Sequence, residues 1–376
     1  MSEVFIVNQQ YRIEFKNGKH LPFLNGVRGI AILMVIFFHS SSVWTKYFKT
    51  YSFHTTYIAA SIAWTGVNLF FILSGMLITN ILIGSKFQKN YFKNFYFRRF
   101  LKIVPLYYLT LIFAYYTRDH FLFPFHHFLF ATNFLLVENK ISVFPISWSL
   151  SLEEQFYLLW PIIIYFVSFS TLRKIIFLFI IFSVGIKLSA LGGNLSYEFL
   201  YHSFITRLDG LALGSLVAFY LYFRRPKKND LHFSILLMFL GFISVATLLI
   251  KLGTLDPFIN PRLVMGIGDF SINILYVGFI LFTMIKDSIF NRKILNNRVL
   301  LLLGEHSYAL YLCHIFVIHY LFNCFIMWMP KMINHNFILS EFSFYFLVIM
   351  VSLAVSLFLK YVIENQFAKY KNLFNR

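Results

Sequence analysis

Apolar runs of about twenty residues recur along the whole chain, and that is the length a helix needs to cross the hydrocarbon core of a bilayer. Inside lipid every backbone N–H and C=O must find its partner within the protein, so only helices and closed barrels can span. A barrel strand would alternate apolar and polar residues over about ten positions, whereas these runs are solidly apolar. Composition agrees: 59% of residues are hydrophobic and 13% charged, with 50 Phe and 23 Tyr, which leaves too little polar surface for a water-soluble domain. The expected fold class is an all-α polytopic membrane protein of about ten transmembrane helices, near 24–43, 58–83, 100–117, 151–170, 174–191, 203–223, 233–250, 263–285, 300–324 and 341–362. The stretch 121–137 is also apolar, but Pro124, His126 and His127 interrupt it, so it reads as re-entrant or interfacial.

The net charge of +18 would suggest nucleic acid in a soluble protein. Here the basic residues fall mainly in alternate connections, such as Lys86 to Lys102 and Arg224 to Lys228, which makes them topology signals and argues against a nucleic-acid partner. With the N-terminus in the cytoplasm they lie predominantly on the cytoplasmic side, and both termini are expected there. The division is a cytoplasmic segment 1–20, a membrane domain 21–362 and a cytoplasmic tail 363–376. Residues 1–20 are too polar for a cleavable signal peptide. Cys313 and Cys324 share one apolar run, which argues against a disulfide or a metal site.

Ionisable groups inside a span are functional candidates by default. The first span carries Arg28 and His39 eleven residues apart, on one helix face and about 16 Å apart along the axis. At the mouth of the third span, Arg98, Arg99 and Lys102 gather, with Arg98 and Lys102 at i and i+4. Guanidinium forks suit phosphate oxygens, although an anchor for anionic lipid explains the same cluster. The fourth span opens with Glu153 and Glu154. One of them could answer the helix dipole behind a Ser149 or Ser151 cap, and either could lie at the depth of His39 and hold its imidazole. Arg207 and Asp209 open the sixth span and cannot face each other at i and i+2, so each is expected to pair across helices. His314 sits mid-span in the ninth run, where a packing role is the ordinary explanation. Gly66, Asn68, Ser74 and Gly75 read as a close-packing helix with interhelical hydrogen bonds. No Gly-rich phosphate loop, zinc spacing or nucleophile elbow is present.

Taken in order, these stretches resemble the membrane-bound acyltransferase 3 family. The resemblance is carried by Arg28 and His39 within Leu24 to His39, Phe70 to Gly75, Arg98-Arg99 before Pro105, Ser147 to Tyr157, Arg207 to Gly210, and Ser307-Tyr308 through His314, and it covers roughly 20–362. It implies an integral protein of the bacterial inner membrane that moves an acyl group, usually acetyl, from cytoplasmic acetyl-CoA or another acyl-CoA to a hydroxyl of a cell-surface glycan. O-antigen lipopolysaccharide, capsule and peptidoglycan are acceptors of that kind. It also implies contact with membrane lipids and with glycan-assembly proteins, and no metal. Some members carry a further SGNH-type domain; none is found in this sequence, so transfer is expected to finish in the membrane domain or on a partner.

In that scheme Arg28, Arg98, Arg99 and Lys102 hold the CoA phosphates. His39 is the general base, or an acylated intermediate, oriented by Glu153 or Glu154. Arg207, Asp209 and His314 serve the substrate or the developing oxyanion. A transporter of a glycan or lipid-linked substrate, or an assembly protein whose buried charges only fix helix pairing, is the alternative, and neither needs a phosphate-type cluster.

Overall fold

The computed structural model describes residues 14–15, 21–48, 54–117, 124–193, 195–286, 288, 290–328 and 337–370. Ten long helices organise them: α1 Pro22–Phe48, α2 Gly66–Ser85, α3 Tyr91–Thr117, α4 Ser147–Phe166, α5 Phe169–Ser189, α6 Phe204–Phe223, α7 Lys228–Leu252, α8 Asp269–Ile285, α9 Ser307–Trp328 and α10 Phe337–Leu359. Nine stretches among the described residues are long and apolar enough to cross a membrane, and they contain every long helix except α4. α4 has the length, 20 residues, but its first half holds three serines, Glu153, Glu154 and Gln155. It is the polar member of an otherwise apolar bundle, and its composition has to be explained by a site. The expected interruption at 121–137 contains two short helices, Pro124–Phe128 and Thr132–Val137, neither long enough to cross.

Helix ends differ from the apolar runs wherever backbone groups find another partner. α2 is preceded by a separate helix His54–Ala63, and the break between them is held by Thr65, whose hydroxyl donates to the Ile62 carbonyl, and by Trp64, whose indole donates to the Leu255 carbonyl. The expected ninth span divides at His306 into Arg298–Glu305 and α9. α3 begins nine residues before its apolar run because Tyr91, Phe95 and Ile103 continue a buried stripe into the basic segment.

α2 and α6 run through the middle of the bundle, with 78% and 72% of their spanning stretches buried, against 22% for α5, α7 and α10. The outer helices turn residues such as Ile181, Phe239, Phe242 and Phe346 outward, as lipid-facing helices must. Close approach needs glycine at the centre. A Cβ on Gly75 of α2 would stand 2.0 Å from the Leu211 carbonyl oxygen of α6, and one on Gly214 of α6 would stand 2.0 Å from that of Ile72. The helix Arg298–Glu305 is seated equally tightly on the start of α1, where a Cβ on Gly304 would meet the Asn25 carbonyl at 1.8 Å and one on Gly26 the Leu295 carbonyl at 1.9 Å. That contact fixes the turn of α1 that carries Arg28.

Candidate active site

A cavity of about 370 Å³ opens between α1, α2, α3, α4 and α9. α3 supplies one wall. Tyr91, Asn94, Phe95, Arg98, Arg99, Lys102 and Ile103 recur at helical spacing along roughly 18 Å of that helix. Arg28 enters from α1, and Phe70, Phe71, Ser74, Leu77 and Ile81 enter from α2. Ser149, Leu150, Glu153 and Tyr157 come from α4, and Ser307, Tyr308 and Tyr311 from α9. The space is therefore aromatic along its sides and cationic where Arg98, Arg99 and Lys102 of α3 and Arg28 of α1 enter, with a single carboxylate among the lining groups.

That carboxylate is fixed. Glu153 accepts from the Ser74 hydroxyl at 2.8 Å on one oxygen and from the Tyr157 hydroxyl at 3.0 Å on the other. The Arg99 guanidinium lies over the Tyr157 ring, 4.3 Å from its centroid. Arg28 lines the cavity and forms no side-chain hydrogen bond or ion pair with the described residues. Tyr308 donates to the Ile103 carbonyl at 2.8 Å, and Tyr311 to that of Ile146 at 2.8 Å while meeting Ser149 at 2.6 Å, which ties α9 to α3 and to the entrance of α4.

His39 has a different partner from the one expected. Its Nδ1 lies 2.9 Å from Nε2 of His314, the rings tilted by 36°. Neither Glu153 nor Glu154 bonds to it. Glu153 is held by α2 and by its own helix, and Glu154 keeps one buried oxygen without a hydrogen-bond partner. Ser149 and Ser151 are likewise not caps: they sit inside α4 and bond to the Ile146 and Ser147 carbonyls. The histidine pair stands one helical turn from Tyr311, whose carbonyl accepts from His314 and whose ring lines the cavity. His39 and His314 themselves are not among its lining residues.

Arg207 and Asp209 are engaged elsewhere, although the buried Nε of Arg207 has no partner among the described residues. Lys187 of α5 bonds Asp209 at 2.7 Å and Asp269 of α8 at 2.5 Å. Arg207 bonds the other oxygen of Asp269 and reaches Asn68 of α2 at 3.1 Å, while Asn273 bonds Asp209 at 3.0 Å. The cluster holds two cations and two anions, all buried, and Arg207 is surrounded by Trp64, Phe71, Trp148 and Tyr201. The expected pairing across helices is what these residues do. Phe71 separates them from the cavity it lines.

Ser74 makes the interhelical hydrogen bond expected of it, to Glu153. Tyr157, Tyr308 and Tyr311 belong to the site although as side chains they are lost among 23 tyrosines.

Residues 21–361 match the acyltransferase domain family. The chain is 28% identical to the peptidoglycan O-acetyltransferase OatA of Listeria monocytogenes over 329 residues, 79% of this chain and 49% of that protein. It is 28% identical to the O-acetyltransferase OatA of Staphylococcus aureus over 327 residues, 79% of this chain and 50% of that one. The chain thus spans about half the length of these relatives. No solved structure matches.

Proposed function

The chain belongs to the acyltransferase family whose domain covers its residues 21–361, and on that footing we propose that it transfers an acetyl group from acetyl-CoA to a hydroxyl of a cell-surface glycan. The observation that carries this reading is the convergence of Arg28, Arg98, Arg99 and Lys102 on one aromatic-walled cavity, one of whose lining residues, Tyr311, is bonded through its carbonyl to the His314 that pairs with His39. Phosphates and a thioester at opposite ends of one long substrate ask for such a layout. Guanidinium forks bind the phosphates, and the apolar walls admit the connecting arm. The excess of basic residues flanking α3 supports entry of the donor from the cytoplasm.

At the histidine end, His39 takes the proton from the acceptor hydroxyl as its oxygen attacks the thioester carbonyl. The C–S bond breaks, the sulfur leaves as thiolate, and the proton passes from His39 to it, giving an ester and free CoA. Glu153 is reassigned from the imidazole to the cavity wall: clamped by Ser74 and Tyr157, it is the one carboxylate that lines the space with the cations. Relatives named for peptidoglycan and O-acetyl transfer favour a glycan acceptor.

The test is release of CoA by the purified chain given acetyl-CoA and a glycan oligomer. Wild type is expected to release it, and His39→Ala, at equal abundance, at least about 100-fold more slowly. A carrier would consume no acetyl-CoA, and an undiminished His39→Ala variant would remove the histidine from the chemistry.

A further inference from the structure

The hydrogen-bond chain leading to His39 fixes where its proton sits. On α9, Nδ1 of His314 lies between two carbonyl oxygens of its own helix, Tyr311 at 2.7 Å and Leu310 at 3.2 Å. Carbonyls only accept, so Nδ1 of His314 carries the hydrogen, and in the neutral ring Nε2 is left with a lone pair. That lone pair faces Nδ1 of His39 at 2.9 Å. A hydrogen bond at this distance needs a donor, which has to be the Nδ1–H of His39. Two imidazoles on helices 275 positions apart are thus read in one direction, from the α9 backbone outward.

We propose that His314 is a positioning residue that holds His39 in the Nδ1–H tautomer, so that Nε2 is the basic atom presented to the acceptor hydroxyl. This rests on the acyl-transfer reading above. His314 touches no reacting atom. It accepts from Nδ1–H throughout, and the bond strengthens when Nε2 takes the acceptor proton and the ring becomes cationic. The arrangement does for an imidazole what a carboxylate does in a hydrolytic triad, but with a neutral acceptor whose own orientation is set by main-chain oxygens. A carboxylate there would make the ring more basic, whereas a neutral acceptor leaves the imidazolium a stronger acid towards the leaving sulfur. It also accounts for a histidine at 314 being fully buried: the residue needs a donor on one edge and an acceptor on the other, and imidazole is the side chain that offers both at this reach.

Two substitutions separate this role from packing. His314→Gln keeps an acceptor at about the reach of Nε2, while His314→Asn ends near Nδ1 and leaves His39 without one. Both are polar and smaller than histidine. The full chain in lipid nanodiscs is given acetyl-CoA and a short peptidoglycan glycan oligomer, free CoA is counted by chromatography, and kcat is separated from KM for acetyl-CoA. His314→Asn is expected to lose about 100-fold or more in kcat with KM within about twofold, and His314→Gln to recover to within about tenfold of wild type. An Asn variant within about threefold of wild type, or a folded Gln variant as inactive as Asn, would overturn the proposal. Should Asn fail to fold, Gln alone decides, since a folded and inactive Gln variant contradicts the tautomer argument. Absence of CoA release by wild type would instead overturn the acyl-transfer reading, so the two failures are told apart.

Discussion

Lys187 is the residue whose removal should cost the fold most for its size. Its ammonium is completely buried and bonds two carboxylates at once, Asp209 at 2.7 Å and Asp269 at 2.5 Å. Each hydrogen bond to a charged group contributes about 1.5–3 kcal/mol, so deleting both in Lys187→Met costs about 3–6 kcal/mol. The same range follows from leaving a buried ion cluster short of one partner, about 3–5 kcal/mol. The variant leaves Asp209 and Asp269 facing Arg207 alone. Pairing it with Asp209→Asn restores one cation to one anion, and the amide that replaces the carboxylate keeps a polar atom towards Ser183 and Asn273. The double variant should therefore recover at least about 2 kcal/mol relative to the sum of the two single changes. Unfolding in mixed micelles by titration with a denaturing detergent, followed by tryptophan fluorescence, gives the three stabilities. A single variant within about 1 kcal/mol of wild type, or strict additivity in the double, would refute the claim that charge balance across α2, α5, α6 and α8 holds these helices together.

Arg28→Ala should raise KM for acetyl-CoA by about tenfold or more with a smaller change in kcat, and Arg28→Lys should recover only part of it because one ammonium cannot replace a fork; steady-state kinetics checks both. Gly304→Ala places a Cβ 1.8 Å from a main-chain oxygen of α1 and should destabilise by about 1–3 kcal/mol, read by the same titration, together with weaker acetyl-CoA binding because the Arg28 turn is displaced. His306, between the Arg298–Glu305 helix and α9, is held below the ordinary histidine range by burial and then by the nearby Lys360 ammonium. The unfolded chain therefore binds the proton more readily, so this residue's contribution is fully present above about pH 6.5 and is lost as the pH falls below it. Thermal stability between about pH 7.5 and 5.5 should show a decline that His306→Gln lessens.

Residues whose significance is local were legible before the structure. Arg28, Arg98, Arg99 and Lys102 announce themselves as cations in or beside apolar runs, and the helices that bear them bring all four to one cavity. Glu153 was legible as a candidate and Ser74 as an interhelical donor, but not as each other's partners, because nothing local links them across 79 positions. His314 as the partner of His39 was beyond reach. Nothing in the residues around position 39 points across 275 positions, and a histidine in a span is ordinarily a packing residue. Lys187 and Asp269 show the same limit: each is one charge in an apolar run, and only the meeting of four helices makes them a neutral cluster. Helix ends were displaced where main-chain groups met side chains from elsewhere, as at Trp64 with Leu255, which no hydropathy pattern contains.

The seating of Gly304 on Asn25 and of Leu295 on Gly26 has a consequence for biosynthesis. A ribosome adds roughly 5–20 residues per second, so the helix bearing Arg28 and His39 emerges roughly 15–55 s before the segment that fits against it. During that interval α1 stands in the membrane with an arginine, a histidine and the bare notches at Gly26 and Gly29, which later receive Leu295 and Leu300, unmatched. α2, made next, packs against another face of α1 at Gly66 and Ala31, which leaves the notches open to the translocation machinery or a companion protein as a holder. A nascent chain arrested near position 290 should therefore remain bound to such a holder, and one released past position 330 should not. The first long helix among the described residues is among the last to be completed.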